Sequence, residues 1–247
     1  MPRLDKRSLC KQHIQTINLD GSRSSGMDIA MSRIQRSGHG APLKRGRGRP
    51  KTHSDVDRRT SIVDTARRTF VELSFSGTTT DIIANRCKIS KQTLYRLFPS
   101  KIDLFLAVVT AHRQMMLDLP RPSDEDLPVD QVLQKIFMID IDEEMERERE
   151  AFIQIILREG VQIPEIGEIL IREGIEKSQK NLADWLGGEV QRGKLAIDNP
   201  LGVARILMDM MFGGIGPASQ NWQTRADRRD HHLQLCISIF LSGTRPK

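Results

Sequence analysis

The sequence predicts an all-α protein, and three observations predict it. From Asp57 onward apolar residues recur at spacings of three and four, as in Ile62, Val63, Ala66, Thr69, Phe70 and Leu73, the period of a helix with one buried face. The periodic runs are separated by helix stop and start signals, namely Gly and Pro clusters or a hydroxyl residue placed to cap. After Arg113 the chain reads as further helices, and no strand-like alternation of apolar and polar residues competes there. The expected architecture is a three-helix head with a helix-turn-helix over residues 54–112 and a helical bundle over 113–247. A disordered basic arm over 1–53 precedes them.

The arm is rich in Ser, Gly, Arg and Lys, a composition that cannot bury enough surface to order itself. Its Lys44-Arg45-Gly46-Arg47-Gly48-Arg49-Pro50-Lys51 places cations on alternate residues with glycines between. Arginines on so slim a backbone suit the narrow, electronegative minor groove of A-T-rich DNA, and Arg47 to Pro50 resembles an AT-hook. A solvated basic linker with non-specific phosphate attraction is the other reading of the same charges. Net charge runs +9 over residues 1–53, +3 over 54–112 and −6 over 113–247, so a polyanion partner is expected for the front of the chain only.

In the head, the first helix places Arg58, Arg59, Arg67 and Arg68 off its apolar face and is interrupted at Phe75-Ser76-Gly77. Thr79 or Thr80 offers a cap to a second short helix through Ile82, Ile83, Ala84 and Cys87. Ser90 caps a third from Lys91 to Leu97, and Ser100 caps a fourth after the break at Phe98-Pro99. Helix, short turn, helix is the layout of DNA binders whose second helix enters the major groove N-terminus first. At that end Gln92 is suited to adenine and Lys91 to guanine, with Thr93 a shorter donor.

From the threonines before Ile83-Ala84, through Ile89-Ser90, Thr93-Leu94-Tyr95 and Phe98, to Ser100-Lys101 and Leu104-Phe105, the stretch resembles the signature of the TetR family of transcriptional regulators. The resemblance implies phosphate contacts from Tyr95 and Lys101. With Arg58 and Arg59 gripping the flanking backbone, the candidate DNA-binding set is Arg47, Arg49, Arg58, Arg59, Thr80, Ser90, Lys91, Gln92, Thr93, Tyr95 and Lys101. Three positions depart from the family pattern. Ser74 and Lys88 stand where glycines are common, so each must accept a left-handed backbone or reshape its turn. Leu97 replaces a frequent histidine.

Beyond Arg113, helix breaks are expected at Pro120-Arg121-Pro122, Gly160 to Pro164, Gly187-Gly188, Asn199-Pro200 and Gly213 to Pro217. The stretch from Arg158 to Pro200 loosely resembles the C-terminal domain of the AefR-like subgroup. The run from Leu233 to Leu241 is apolar on more than one face, and with Val203, Ile206, Leu207, Met210 and Met211 it is the candidate four-helix dimer interface. Phe137, Met138, Phe152, Ile156, Trp185, Met208 and Phe212 are the candidate lining for an unidentified small apolar or amphipathic effector.

Other functions find less support. No glycine-rich phosphate loop, nucleophile elbow or metal-ligand spacing points to an enzyme or a cofactor. The acidic run from Asp140 to Glu150 reads as mixed pairs on a solvated helix face, and His231-His232 point in different directions, so no metal is expected. Cys10, Cys87 and Cys236 are too scattered for a disulfide or zinc framework. With no apolar run near the roughly 20 residues a bilayer requires and no leader, the expected compartment is the cytoplasm. The expected function is sequence-specific transcriptional regulation, as a ligand-responsive repressor bound to a palindromic double-stranded DNA operator as a homodimer. An architectural A-T-rich DNA binder without an effector is the alternative.

Overall fold

A computed structural model describes residues 55–122, 124–213 and 225–246. The basic arm, with Arg47 and Arg49, and most of the break expected at Gly213 to Pro217 lie outside the described residues. From Arg59 onward the described residues form one compact unit. Ahead of it the structure describes Asp55 to Arg58, where Arg58 pairs with Asp55 at 3.4 Å.

The head holds α1 (Asp55–Gly77), α2 (Thr80–Arg86), α3 (Lys91–Leu97) and α4 (Lys101–Met116). Each helix after the first starts at a capping hydroxyl. Thr79 accepts from the Ile82 N–H, Ser90 from that of Thr93 and Ser100 from that of Asp103, satisfying donors that have no partner within the helix. α2 ends with the Lys88 N–H on the Asn85 carbonyl and the Ile89 N–H on that of Ala84. This six-to-one closure calls for a left-handed residue between them, and Lys88 supplies it with φ 53°.

Both positions where glycine was expected thus keep the glycine conformation without the glycine. Ser74 kinks α1 with φ 62° and ψ 170°, a region at ease only for glycine. Left-handed strain of roughly 1 to 3 kcal/mol is partly offset by the lower backbone entropy of a non-glycine in the unfolded chain. Ser74→Gly and Lys88→Gly are each expected to stabilise the protein by about 1 kcal/mol in chemical denaturation. No gain at either position would show that its strain is already relieved.

The bundle comprises α5 (Val129–Ile136), α6 (Glu143–Gln162), α7 (Pro164–Ile169), a π-helical stretch (Leu170–Glu176), α8 (Lys177–Gln191), α9 (Pro200–Phe212) and α10 (Arg225–Thr244). One of the expected breaks is absent, and the one expected at Gly160 to Pro164 falls at the end of that range. Gly187 and Gly188 lie inside α8, since a helix tolerates interior glycine at a cost of about 1 kcal/mol. Gly160 lies inside α6, where it lets α7 approach: a Cβ on Gly167 would stand 2.8 Å from the Gly160 carbonyl oxygen. The chain turns only at Ile163-Pro164. The π-helical stretch, continuous with α7 and α8, has no counterpart among the elements expected from sequence. Among the described residues there is no strand, no cluster of metal ligands and no helix long and apolar enough to cross a membrane.

Two cores result. One joins α5, α8, α9 and α10 through Leu133, Phe137, Leu186, Leu207, Ile237 and their neighbours. The other belongs to the head: Phe70, Phe75 and Phe105 meet at 5.2 to 5.7 Å between ring centroids. α6 joins this second core through Phe152, 6.4 Å from Phe105, and through Ile156. Rings buried to this degree contribute roughly 1.5 to 3 kcal/mol each.

Several polar side chains are buried where α1, α4 and α6 meet, and here the expectation from sequence needs correction. Arg67, expected on the solvated side of the first helix, is buried and pairs with Asp64 at 3.2 Å and Glu148 of α6 at 2.8 Å. Arg149 and Glu150, within the acidic run read as solvated, are both buried. Only the Glu143–Arg147 pair, at 2.9 Å, lies on an exposed face as expected. An amphipathic pattern assigns one buried face, whereas α6 is covered on a second side by the end of α4.

His112 of α4 lies in the same region, and its ring nitrogens are without hydrogen-bond partners. Burial, and then the nearby cations Arg149 and Arg67, lower its pKa from 6.5 to about 3. The unfolded chain therefore takes up this proton near pH 6.5 and the folded chain only near pH 3. Acidification between those values favours unfolding, and the contribution is fully retained above pH 6.5. Relative to neutral pH, the wild type is expected to lose about 2 kcal/mol more than His112→Phe at pH 5. Denaturation of both proteins across that range measures it, and parallel curves would refute it.

Candidate nucleic-acid interface

The first turns of α2 and α3 lie side by side. Leu94 and Leu97 bury the inner face of α3 against the head core, which turns Lys91, Gln92 and Tyr95 outward, all three exposed. The Tyr95 hydroxyl lies 3.0 Å from Thr80 Oγ1. Lys91 Nζ pairs with Asp81 at 2.7 Å, a bond that raises the lysine pKa above its usual value. Thr93 Oγ1 lies 2.9 Å from Ser90 Oγ. Thr80 at the start of α2 is thus brought beside Ser90, Lys91, Gln92 and Thr93 at the start of α3 and Tyr95 one turn on, at the ends of the two helices that favour anions.

Two cations assigned to phosphates point elsewhere. Lys101 Nζ donates to the Phe75 carbonyl at 2.9 Å and that of Thr78 at 3.0 Å, and lies 4.1 Å from the Phe75 ring centroid. Burial lowers its pKa. The Phe75 carbonyl also accepts the Thr78 N–H at 3.2 Å, so the lysine adds to the closure of the turn that follows α1. Arg59 donates to the Leu97 carbonyl at 2.5 Å and lies over the Phe98 ring at 4.3 Å, closing the C-terminal end of α3. Arg59 thus holds α3 at its C-terminal end, and Lys101 ties α4 to the turn that follows α1.

The seven candidate effector residues do not line one cavity. Phe152 and Ile156 belong to the head core, while Phe137, Trp185, Met208 and Phe212 belong to the bundle core, where Phe137 and Phe212 meet at 5.8 Å. Met138 sits half-buried at the left-handed turn ending α5. An open groove of about 530 Å³ lies elsewhere, between Ala183, Gly187 and Gly188 of α8 and Pro200 and Leu201 of α9. Cys87 is half-buried and burial raises its thiol pKa, as for an inert packing residue.

Residues 62–108 match the family model of bacterial regulatory proteins of the TetR family, and residues 131–243 match that of the C-terminal domain of AefR-like transcriptional repressors. The chain belongs to the TetR family. It is a helix-turn-helix transcriptional regulator, and the spacing of α2 and α3 is the TetR-type DNA-reading unit. Among relatives, the HTH-type transcriptional regulator UidR of Escherichia coli K12 is 27% identical over 157 residues, spanning 63% of this chain and 78% of UidR. A putative TetR-family regulator from Mesorhizobium loti superposes with a TM-score of 0.58 at 19% identity, covering 78% of this chain and all of the other. The flavonoid-responsive regulator FrrA superposes at 0.52 with 23% identity, covering 77% and 98%. At these identities the two structures establish the TetR-family fold alone.

Proposed function

We propose that this TetR-family chain is an effector-responsive repressor that reads a palindromic operator as a homodimer. The observation that carries the reading is the exposed N-terminal turn of α3, Lys91 and Gln92 with Tyr95 one turn on, held by the buried Leu94 and Leu97 on a head whose α2, α3 and α4 each start at a capping hydroxyl. Gln92 and Lys91 reach base edges, while Tyr95 and Thr80 take one phosphate between them. Arg47 and Arg49 of the arm add minor-groove contacts beside the site. The head then spans residues 54–112 and the dimerising, effector-binding body 113–247.

Dimerisation is supported by α9 and α10, which bury Leu207, Met211, Leu233 and Ile237 yet leave Ile206, Leu235 and Ile239 between 50% and 61% exposed. A second copy laying the same helices across these residues forms a four-helix interface and sets two reading helices one or more DNA turns apart. The triple variant Ile206→Glu, Leu235→Glu, Ile239→Glu is expected to sediment as a folded monomer and to protect one half-site. A dimeric variant would place the interface elsewhere.

Effector control is supported by α6, which is tied to the head at both ends, by Glu148 to Arg67 and by Glu159 to the Ser76 N–H at 3.0 Å. An effector that repositions α6 changes the set of the heads, and linkage lowers operator affinity by the factor by which operator lowers effector affinity. Footprinting of selected duplexes at physiological salt tests the DNA reading: a short palindrome supports it, and indifferent A-T-rich protection overturns it.

A further inference from the structure

Among the described residues, the only buried side-chain nitrogen or oxygen atoms without a hydrogen-bond partner are the two ring nitrogens of His112. The residue is 4% exposed, and buried polar atoms of this kind are normally satisfied. Its ring lies 4.6 Å from that of Phe152 on α6. On the adjoining part of α4 the π-helical stretch presses in: a Cβ on Gly174 would stand 3.6 Å from Val109 Cγ1, and Arg113 donates to the Glu173 carbonyl at 2.7 Å. π-helical turns are rare and concentrate at functional sites. An orphaned imidazole and a π-helical turn on neighbouring parts of α4 are independent signs of one site.

We propose that His112 is the polar anchor of the effector site, and that the effector is an uncharged aromatic molecule bearing a hydroxyl, a phenol in the simplest case, held between α4, α6 and the π-helical stretch. The inference rests on the effector-responsive reading above. A neutral imidazole offers one donor and one acceptor, and a hydroxyl can satisfy either nitrogen whichever carries the hydrogen. Phe152, with Phe105 behind it, provides faces against which a ring packs in offset or edge-on geometry. Neutrality follows from the charges around it. Arg67 is already held by Asp64 and Glu148, and Arg149 by Glu146, so a buried anion would find both arginines already matched by carboxylates.

The test uses the full-length protein and three matched probes: 4-ethylphenol, ethylbenzene and 4-ethylbenzoate. Calorimetry is expected to show the phenol binding wild type about tenfold more tightly than either of the others, and His112→Phe binding phenol and hydrocarbon alike. In wild type labelled with ¹⁵N at histidine, the His112 ring resonances should shift on adding the phenol, a readout independent of whether the variant folds. No binding at millimolar concentration, equal discrimination in His112→Phe, or unmoved ring resonances overturns the proposal. Operator affinity measured on the same samples separates the two readings. A phenol that binds through His112 without releasing DNA removes the effector-responsive reading and leaves the site. A compound that releases DNA equally well from His112→Phe removes the site and leaves that reading.

Discussion

The variant Lys91→Ala, Gln92→Ala, Tyr95→Ala is expected to bind the operator about 100- to 1,000-fold more weakly than the wild type while folding normally. A bidentate glutamine–adenine pair is worth roughly 1 to 3 kcal/mol of discrimination. Removing the lysine and the tyrosine hydroxyl from the DNA adds to it, giving roughly 3 to 4 kcal/mol together. Folding should be spared because all three side chains are exposed. The Lys91–Asp81 pair is open to solvent on both sides, where such pairs contribute little, and Thr80 regains water in place of Tyr95. Titration of labelled operator at several salt concentrations gives the affinity, and the dependence on salt should flatten by about one ion for each phosphate that the variant no longer neutralises. Undiminished, sequence-indifferent binding would mean that the basic arm alone holds the DNA.

How much of this was legible in the sequence depended on the range of the interaction. Caps act over three residues: Ser90 and Ser100 sit where the sequence placed them, and of the two threonines it offered for α2 Thr79 is the cap. The turn between α2 and α3 is equally local, so the left-handed backbone at Lys88 followed from the hydrogen-bonding pattern it closes. The α3 face that bears Lys91, Gln92 and Tyr95 was readable for the same reason: the spacing of Leu94 and Leu97 alone decides which side is buried.

The errors concern groups whose partners are distant in the chain. Arg67 reads as a surface residue until Glu148, 81 positions away, is brought to it. Lys101 reads as a phosphate ligand until folding brings the carbonyls of Phe75 and Thr78, 26 and 23 positions away, within its reach. The seven effector candidates were grouped by chemistry suited to one pocket, but they divide between two cores, because α6 packs its aromatic face on the head and takes Phe152 and Ile156 with it. His112 escaped notice because a lone histidine on an apolar helix face carries no local signal. Only the packed structure shows that both of its nitrogens lack partners.

Arg149→Ala is expected to cost about 3 kcal/mol of stability, lowering Tm by roughly 10 °C. The side chain is 2% exposed. Its guanidinium donates to the Met116 carbonyl at 3.2 Å and to Glu146 at 3.2 Å, with the Met116 sulfur at 3.5 Å. Burial lowers its pKa from 12.5 to about 10, so it remains charged at neutral pH. Truncation removes the partner of a carbonyl at the end of α4 and empties the volume of a long side chain, and each change is costly in a packed interior. Glu146 is not stranded, because Arg229 of α10 holds it at 2.8 Å, which keeps the cost at the lower end of the range for breaking a buried pair. Arg149→Met separates the two contributions: it refills the volume but not the hydrogen bonds, and should cost about 1 to 2 kcal/mol. Chemical denaturation of the three proteins measures both differences. If the alanine and methionine variants are equally destabilised, the polar bonds outweigh the packing. If neither is destabilised, the guanidinium is balanced by its own desolvation, and the junction of α4 and α6 is held by Phe152 and its apolar neighbours alone.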